Sequence, residues 1–291
     1  MKEAWALRIG MYDSGVGGLT VLAAFVRHMP EHDYVYFGDT LHAPYGDRTA
    51  EEVRALSLAA VKQLVARDID LLVVACNTSA SVAVDTLVDH YPDLPVLTLL
   101  DAVGPAVQHF PGRKIALLAT RRTVEAGVFE ARLRSARPDA AVRSVAAPAL
   151  VPLIERGVKD PAVYGPFLDS YLKPLATWGA EVLVLGCTHY PLIANQIQSR
   201  VPHTLLIDPA NHLARHVAEK QDAFPASSSS GSVTLLASGD ATVLDAFWKS
   251  VSSQIQTEAS EEYGHIGLRR KPTTSGAKAV THGSATPGMH P

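Results

Sequence analysis

The chain is poor in cysteine, with two among 291 residues, and poor in net charge, at −3. No apolar run approaches the roughly eighteen residues that a membrane span needs, and the opening segment MKEAWALRIGMYD has no apolar signal-peptide core. Each shortage excludes something. The small charge gives no general attraction to nucleic acid or to an anionic membrane, so neither is an expected partner. A cytoplasmic location is therefore expected, where two thiols are expected reduced rather than bridged. No metal site is expected: Cys187 and His189 lack third and fourth ligands at recognisable spacing. The glycines at 15, 17 and 18 lack the third glycine of a dinucleotide fingerprint, and no lysine completes a P-loop. What remains is an ordinary globular composition, 47% hydrophobic and 19% charged, in a chain long enough for two domains.

The two cysteines stand in similar surroundings. Asp70 to Ala80 reads DLLVVACNTSA and Glu181 to Pro191 reads EVLVLGCTHYP. Each is an unbroken apolar run, as in a parallel strand covered on both faces, ending in a thiol and small polar residues. They lie about 110 residues apart, the length of a small α/β domain. Leu7 to Tyr12 predicts a strand running into Asp13-Ser14-Gly15-Val16-Gly17-Gly18, followed by a helix over Leu19 to Met29. Lys114 to Ala119 predicts the matching strand of a second half, entering a loop at Thr120-Arg121-Arg122-Thr123. The distance from Asp13 to Cys76 nearly equals that from Thr120 to Cys187.

Further strands are predicted at Tyr34 to Phe37, Val96 to Leu100, Val142 to Ala146, Thr204 to Ile207 and Val233 to Ala237. Thr49 and Glu52 form a capping-box pattern ahead of one helix; others are expected near Tyr164 to Trp178, His212 to Lys220 and Val243 to Val251. Ser227 to Gly231 reads as a connector. The fold class is α/β: two doubly wound parallel-sheet domains related by pseudo-symmetry, with the site in the cleft between them. The first domain takes residues 1–100 and 208–255, the second 101–207, and 256–291 form a disordered tail with a basic run at Leu268 to Lys271.

A cysteine closing a buried strand is more often a small core residue than a nucleophile. The duplicated context reverses that preference. Two thiols facing across a cleft could flank a carbon acid, one sulfur removing a proton and the other returning one on the opposite face. Such chemistry needs one thiolate and one thiol, so neighbours must tune them. His189, two residues after Cys187, and the acids Asp13 and Glu155 are the candidates. Ser14, Asn77, Thr78 and Thr188 suit an amino acid's carboxylate and ammonium. Taken singly, His189 could be a satisfied histidine, and either acid a helix cap or a solvated acid.

These motifs resemble those of the cofactor-independent glutamate racemases of the aspartate/glutamate racemase superfamily. The matching stretches, in order, are YDSGVGGLTV (12 to 21), YFGDT and PYG (36 to 46), ACNTSAS (75 to 81), VPLIERG (151 to 157), GCTHYPL (186 to 192) and IDPA (207 to 210). The resemblance implies interconversion of L- and D-glutamate without cofactor, supplying D-glutamate for peptidoglycan. It makes Cys76 the base for the D-isomer, assisted by Asp13, and Cys187 the base for the L-isomer, assisted by His189 and Glu155. Asp13, Ser14, Tyr45, Gly46, Asn77, Thr78, Thr120, Thr123, Thr188 and His189 would hold the substrate. It also implies that the strand near Val233 returns to the first sheet, and a homodimer is expected. Arg121 and Arg122 depart from the pattern, filling a Thr-x-x-Thr loop that usually carries small residues. Two rivals stay open: a racemase of another amino acid such as aspartate, and a binding protein on this scaffold directed at DNA gyrase.

Overall fold

A computed structural model describes residues 6–220, 231–262 and 280–282. The first half runs β1 (Arg8–Asp13), α1 (Leu19–His28), β2 (Asp33–Gly38), α2 (Ala50–Val65), β3 (Leu71–Val74), α3 (Asn77–Val82), α4 (Val84–His90) and β4 (Val96–Thr98). The second runs α5 (Leu100–Gln108), β5 (Lys114–Ala119), α6 (Arg121–Ala126), α7 (Val128–Ala136), β6 (Ala141–Ala146), α8 (Leu150–Glu155), α9 (Pro161–Trp178) and β7 (Val182–Gly186). A 3-10 turn at Tyr190–Ile193, α10 (Ala194–Gln198) and β8 (Leu205–Ile207) complete its sheet; α11 (Pro209–Lys220), β9 (Val233–Ala237), α12 (Ala241–Glu262) and β10 (Val280–His282) follow.

The sheets have orders β10-β9-β2-β1-β3-β4 and β6-β5-β7-β8. The stretch β2-β1-β3-β4 is therefore repeated in β6-β5-β7-β8, with all pairings within it parallel. As the resemblance implied, β9 returns to the first sheet, parallel to β2. Register then fixes the site: Tyr12 lies opposite Val74, and Ala119 opposite Gly186. The residues just past these pairs, Asp13, Cys76, Thr120 and Cys187, emerge from the carboxyl ends of central strands, where doubly wound sheets bind ligands.

Both sheets are covered on two faces. Met11, Tyr34 and Tyr36 pack into one cluster with α1, α11 and α12, while Tyr12, Val35 and Phe37 join α2, α4 and α5 on the other side. That second cluster continues into Ile115, Leu117, Val182 and Val184 of the other sheet, so one apolar core spans both halves. Ala116, Leu118, Leu183 and Leu185 pack oppositely against α8 and α9. Thr49 and Glu52 make the reciprocal hydrogen bonds of a capping box at α2. Among the described residues no helix is long and apolar enough to cross a membrane.

Several boundaries differ from the sequence reading. Thr120 to Thr123 is not a loop: Thr120 accepts a hydrogen bond from the Thr123 N–H and caps α6, whose arginines are good helix formers. The strand at Val96 stops at Thr98 because Leu100 already opens α5. Residues 256–262, assigned to the tail, continue α12; glutamine, alanine and glutamate there favour helix despite their polarity. Val280–His282, also assigned to the tail, pairs antiparallel with β9, so the first sheet is not wholly parallel. Residues 227–230 of the expected connector and the basic run Leu268 to Lys271 lie outside the described residues.

Candidate active site

Ser14, Tyr45, Gly46, Cys76, Asn77, Thr78, Thr120, Cys187, Thr188 and His189 line one cavity. Its free volume is about 10 Å³, room for about one water. The cleft is thus closed, and a molecule larger than water enters only if its walls move apart. Both thiols are reduced and buried. At its back Cys76 packs with Tyr45 and Val53, and Cys187 with the α8 and α9 cluster, yet the two sulfurs share this cavity. A separate cavity of about 840 Å³ between α1, the 3-10 turn, α11 and α12 contains neither cysteine.

Three residues named from sequence stand just behind the lining. Asp13 is fully buried; one carboxylate oxygen accepts from the Gly15 N–H at 2.9 Å, the other from the Thr188 hydroxyl at 3.0 Å. Glu155 Oε1 lies 2.5 Å from His189 Nε2 and also accepts from the Val16 N–H at 3.0 Å. Thr123 hydrogen bonds Thr120, whose hydroxyl meets that of Thr78 at 3.0 Å across the two halves. Gly17 is obligatory, since a Cβ there would fall 2.4 Å from His189 Nδ1 and 2.5 Å from the Thr188 hydroxyl.

The surroundings of the two sulfurs differ. His189 Nδ1 lies 3.6 Å from Cys187 Sγ. Burial disfavours charge on His189, but hydrogen bonds and opposite charges from Cys187 and Glu155 outweigh it and hold its pKa well above the ordinary 6.5. For Glu155 burial acts upward, and the His189 and Val16 hydrogen bonds with the His189 charge bring its pKa below the ordinary value. The two shifts agree on an imidazolium paired with a carboxylate. Cys76 has no cation of this kind. Its pKa is raised by burial and then by the Asp13 charge, against opposing hydrogen bonds from the Ser79 N–H, Ser14 and the Ser79 hydroxyl. Cys76 Sγ lies 3.6 Å from Ser14 Oγ. Burial also raises the Asp13 pKa, with His189 and the Gly15 N–H acting against it.

Asn77 is 2% exposed, and neither its amide nitrogen nor its oxygen has a hydrogen-bond partner. Buried amides are rarely left so, and this one lines the cavity. Sequence reasoning missed Val151, an apolar wall of the cavity, and Asp39, which braces the Tyr45 loop by accepting from the Tyr45 hydroxyl at 2.5 Å. Asp39 lay within the quoted GDT stretch, but nothing in its spacing announced that contact. Among the described residues no group of three or more His, Cys, Asp or Glu could hold a metal.

Comparison with known proteins matches residues 19–217 to the Asp/Glu/Hydantoin racemase family. A glutamate racemase of Deinococcus radiodurans is 41% identical over 72% of this chain and 73% of its own, and one of Carboxydothermus hydrogenoformans 35% identical over 74% and 80%. The crystal structure of a Thermus thermophilus glutamate racemase with β-chloro-D-alanine superposes with a TM-score of 0.73 at 34% identity, covering 84% of this chain and 92% of that one. The chain belongs to the Asp/Glu/Hydantoin racemase family and is an amino-acid racemase, an isomerase.

Proposed function

We propose that the chain interconverts L- and D-glutamate by proton transfer between two thiols, without cofactor. One thiolate takes the α-proton, leaving a planar carbanion conjugated with the α-carboxylate; the opposite thiol then delivers its proton to the other face. The sulfurs exchange roles and the centre is inverted. Cys187 works on the L-isomer, with His189 and Glu155 stabilising charge beside it, and Cys76 on the D-isomer, with Asp13 behind it.

The observation that carries this reading is the placement of both sulfurs, at matching strand ends of two repeated sheets, on one cavity. The unpartnered Asn77 amide and the Thr78–Thr120 pair supply donors for a carboxylate. Glutamate follows from the names of the relatives at 34–41% identity. With it come a cytoplasmic location, supply of D-glutamate to peptidoglycan, a homodimer, and the division into domains 1–100 with 208–255 and 101–207. A gyrase-directed role would rest on Arg121 and Arg122 and on the basic run at Leu268 to Lys271, the latter outside the described residues.

Circular dichroism of the purified protein with L-glutamate and then D-glutamate tests the reading, with aspartate as a parallel substrate. Loss of optical signal from either glutamate isomer is expected with nothing else added. No change in either direction would sink it, and a change with aspartate alone would move the substrate.

A further inference from the structure

The two arginines that depart from the family's loop pattern bind the halves together beside Gly46 and Thr120, which line the cavity. The segment from Asp39 to Arg48 in the first half is internally braced. Asp39 holds Tyr45 at 2.5 Å and His42 Nδ1 at 2.8 Å, and the Arg48 guanidinium donates twice to the His42 carbonyl at 3.0 and 2.7 Å. These contacts tie the segment together and hold Tyr45 and Gly46 against the site. The first turn of α6, from the second half, is docked on this segment. The Arg122 N–H donates to the Gly46 carbonyl at 3.0 Å, and Arg122 Nε to the Arg48 carbonyl at 2.8 Å. Arg121 Nε lies 3.3 Å from an Asp47 carboxylate oxygen. The fit is close, since a Cβ on Gly46 would sit 3.0 Å from Thr120 Cβ.

We propose that Arg121 and Arg122 form a latch across the cleft, holding the Tyr45–Gly46 loop against Thr120 and setting how often the site opens to admit and release substrate. The inference rests on the racemase reading for its functional meaning. Its physical basis is separate: the cavity holds about 10 Å³, so turnover requires opening, and opening between the Tyr45 loop and α6 breaks these contacts. Arg122 is the stronger element. Its Nε reaches a main-chain carbonyl, and its Nη1 is steadied at 2.9 Å by Glu125 on the same helix. The Arg121–Asp47 pair is more than half exposed on both sides and weaker.

Both sulfurs are buried when the cleft is closed, so their alkylation reports opening. The test follows iodoacetamide modification of Cys76 and Cys187 separately by peptide mass, on the full chain, below its unfolding temperature. Arg122→Ala is expected to speed both by about three- to tenfold, the equilibrium shift from one net hydrogen bond. Arg122→Lys keeps the charge beside Glu125 but lacks the Nε donor, and should behave like the alanine variant. Arg121→Ala should give about twofold or less. Glu125→Ala, which removes only the steadying pair within α6 and keeps the Nε donor, should accelerate both by less than Arg122→Ala does. Wild-type rates in both Arg122 variants would overturn the latch, as would equal acceleration by Glu125→Ala. A wild-type protein inert towards glutamate would remove the functional reading while leaving the alkylation result standing.

Discussion

The two thiol environments are built on the same plan and charged differently. Each cysteine follows the third strand of a β2-β1-β3-β4 type sheet, and each first strand delivers a polar residue beside it, Asp13 in one half and Thr120 in the other. Cys187 then meets an imidazolium held by Glu155, whereas Cys76 meets the Asp13 carboxylate and neutral donors. In the proposed two-base scheme inversion requires two groups on opposite faces of one carbon, and a repeated backbone supplies that symmetry. The side chains break it, because two bases in the same protonation state could not pass a proton in one direction and accept one from the other. Burial makes the difference effective: Asp13, His189 and both cysteines are at most 5% exposed, so their charges are screened little by water.

The largest expected effect comes from removing either thiol. Cys76→Ser and Cys187→Ser should each lower racemisation by about 10²–10⁴-fold or to background. In D2O the two variants should differ in handedness. With Cys187 intact, Cys76→Ser should still wash deuterium into the α-position of L-glutamate without inverting it, and Cys187→Ser should do so only with D-glutamate. NMR of the recovered isomers reads this. Exchange of the wrong isomer would reverse the assignment of the two sulfurs, and near wild-type inversion by either variant would end the two-base reading.

Glu155→Gln should act next most strongly, since it removes the counter-charge of a buried imidazolium while leaving an acceptor in place. Turnover should fall about 10²-fold, with the unpaired charge costing up to about 3–5 kcal/mol of stability. The raised His189 pKa contributes stability that is fully present below 6.5 and is lost as pH rises through the folded value. The lowered Glu155 pKa contributes stability that is present above 4.5 and is lost as pH falls through its folded value. The pair is therefore at full strength between those two ordinary values. In Glu155→Gln, burial acts on His189 with less opposition, so the alkaline fall in kcat/KM should move to lower pH. An alkaline limb that stays in place would show that His189 does not owe its charge to Glu155.

Much of this comparison was legible in the chain. Strand ends are marked by apolar runs stopping at polar residues, which exposed both cysteines, and the repeat showed in the spacing of Asp13 and Thr120 from them. Helix boundaries read less well where polar residues are also good helix formers, as in residues 256–262 and at Arg121. What sequence could not give were contacts closed only by the two halves coming together. Glu155 accepting from the Val16 N–H, Thr188 donating to Asp13 and Thr78 meeting Thr120 join residues 42 to 175 positions apart. No local pattern encodes such pairs. Nor could spacing separate residues that line the cavity from Asp13, Glu155 and Thr123 behind it, because one strand end supplies both layers.

The smallest effect expected is also the most selective. The Ser79 N–H and hydroxyl both act to lower the Cys76 pKa, and the hydroxyl also accepts from Ser57 at 3.2 Å within the buried interior. Ser79→Ala deletes the hydroxyl and keeps the N–H. With one opposing donor gone, burial and the Asp13 charge push the Cys76 pKa further up, while Cys187, in a different cluster, is untouched. The pH dependence of iodoacetamide modification should shift to higher pH at Cys76 alone. Turnover should fall by only about two- to tenfold, the scale of one hydrogen bond. Because Cys76 is the base for the D-isomer in this scheme, removal of its proton should become more limiting. The primary deuterium isotope effect should therefore grow with D-[2-²H]glutamate and stay constant with the L-isomer. Equal growth for both isomers would mean that Ser79 steadies the cavity as a whole, and the difference between the two sulfurs would then rest on Asp13 and His189 alone.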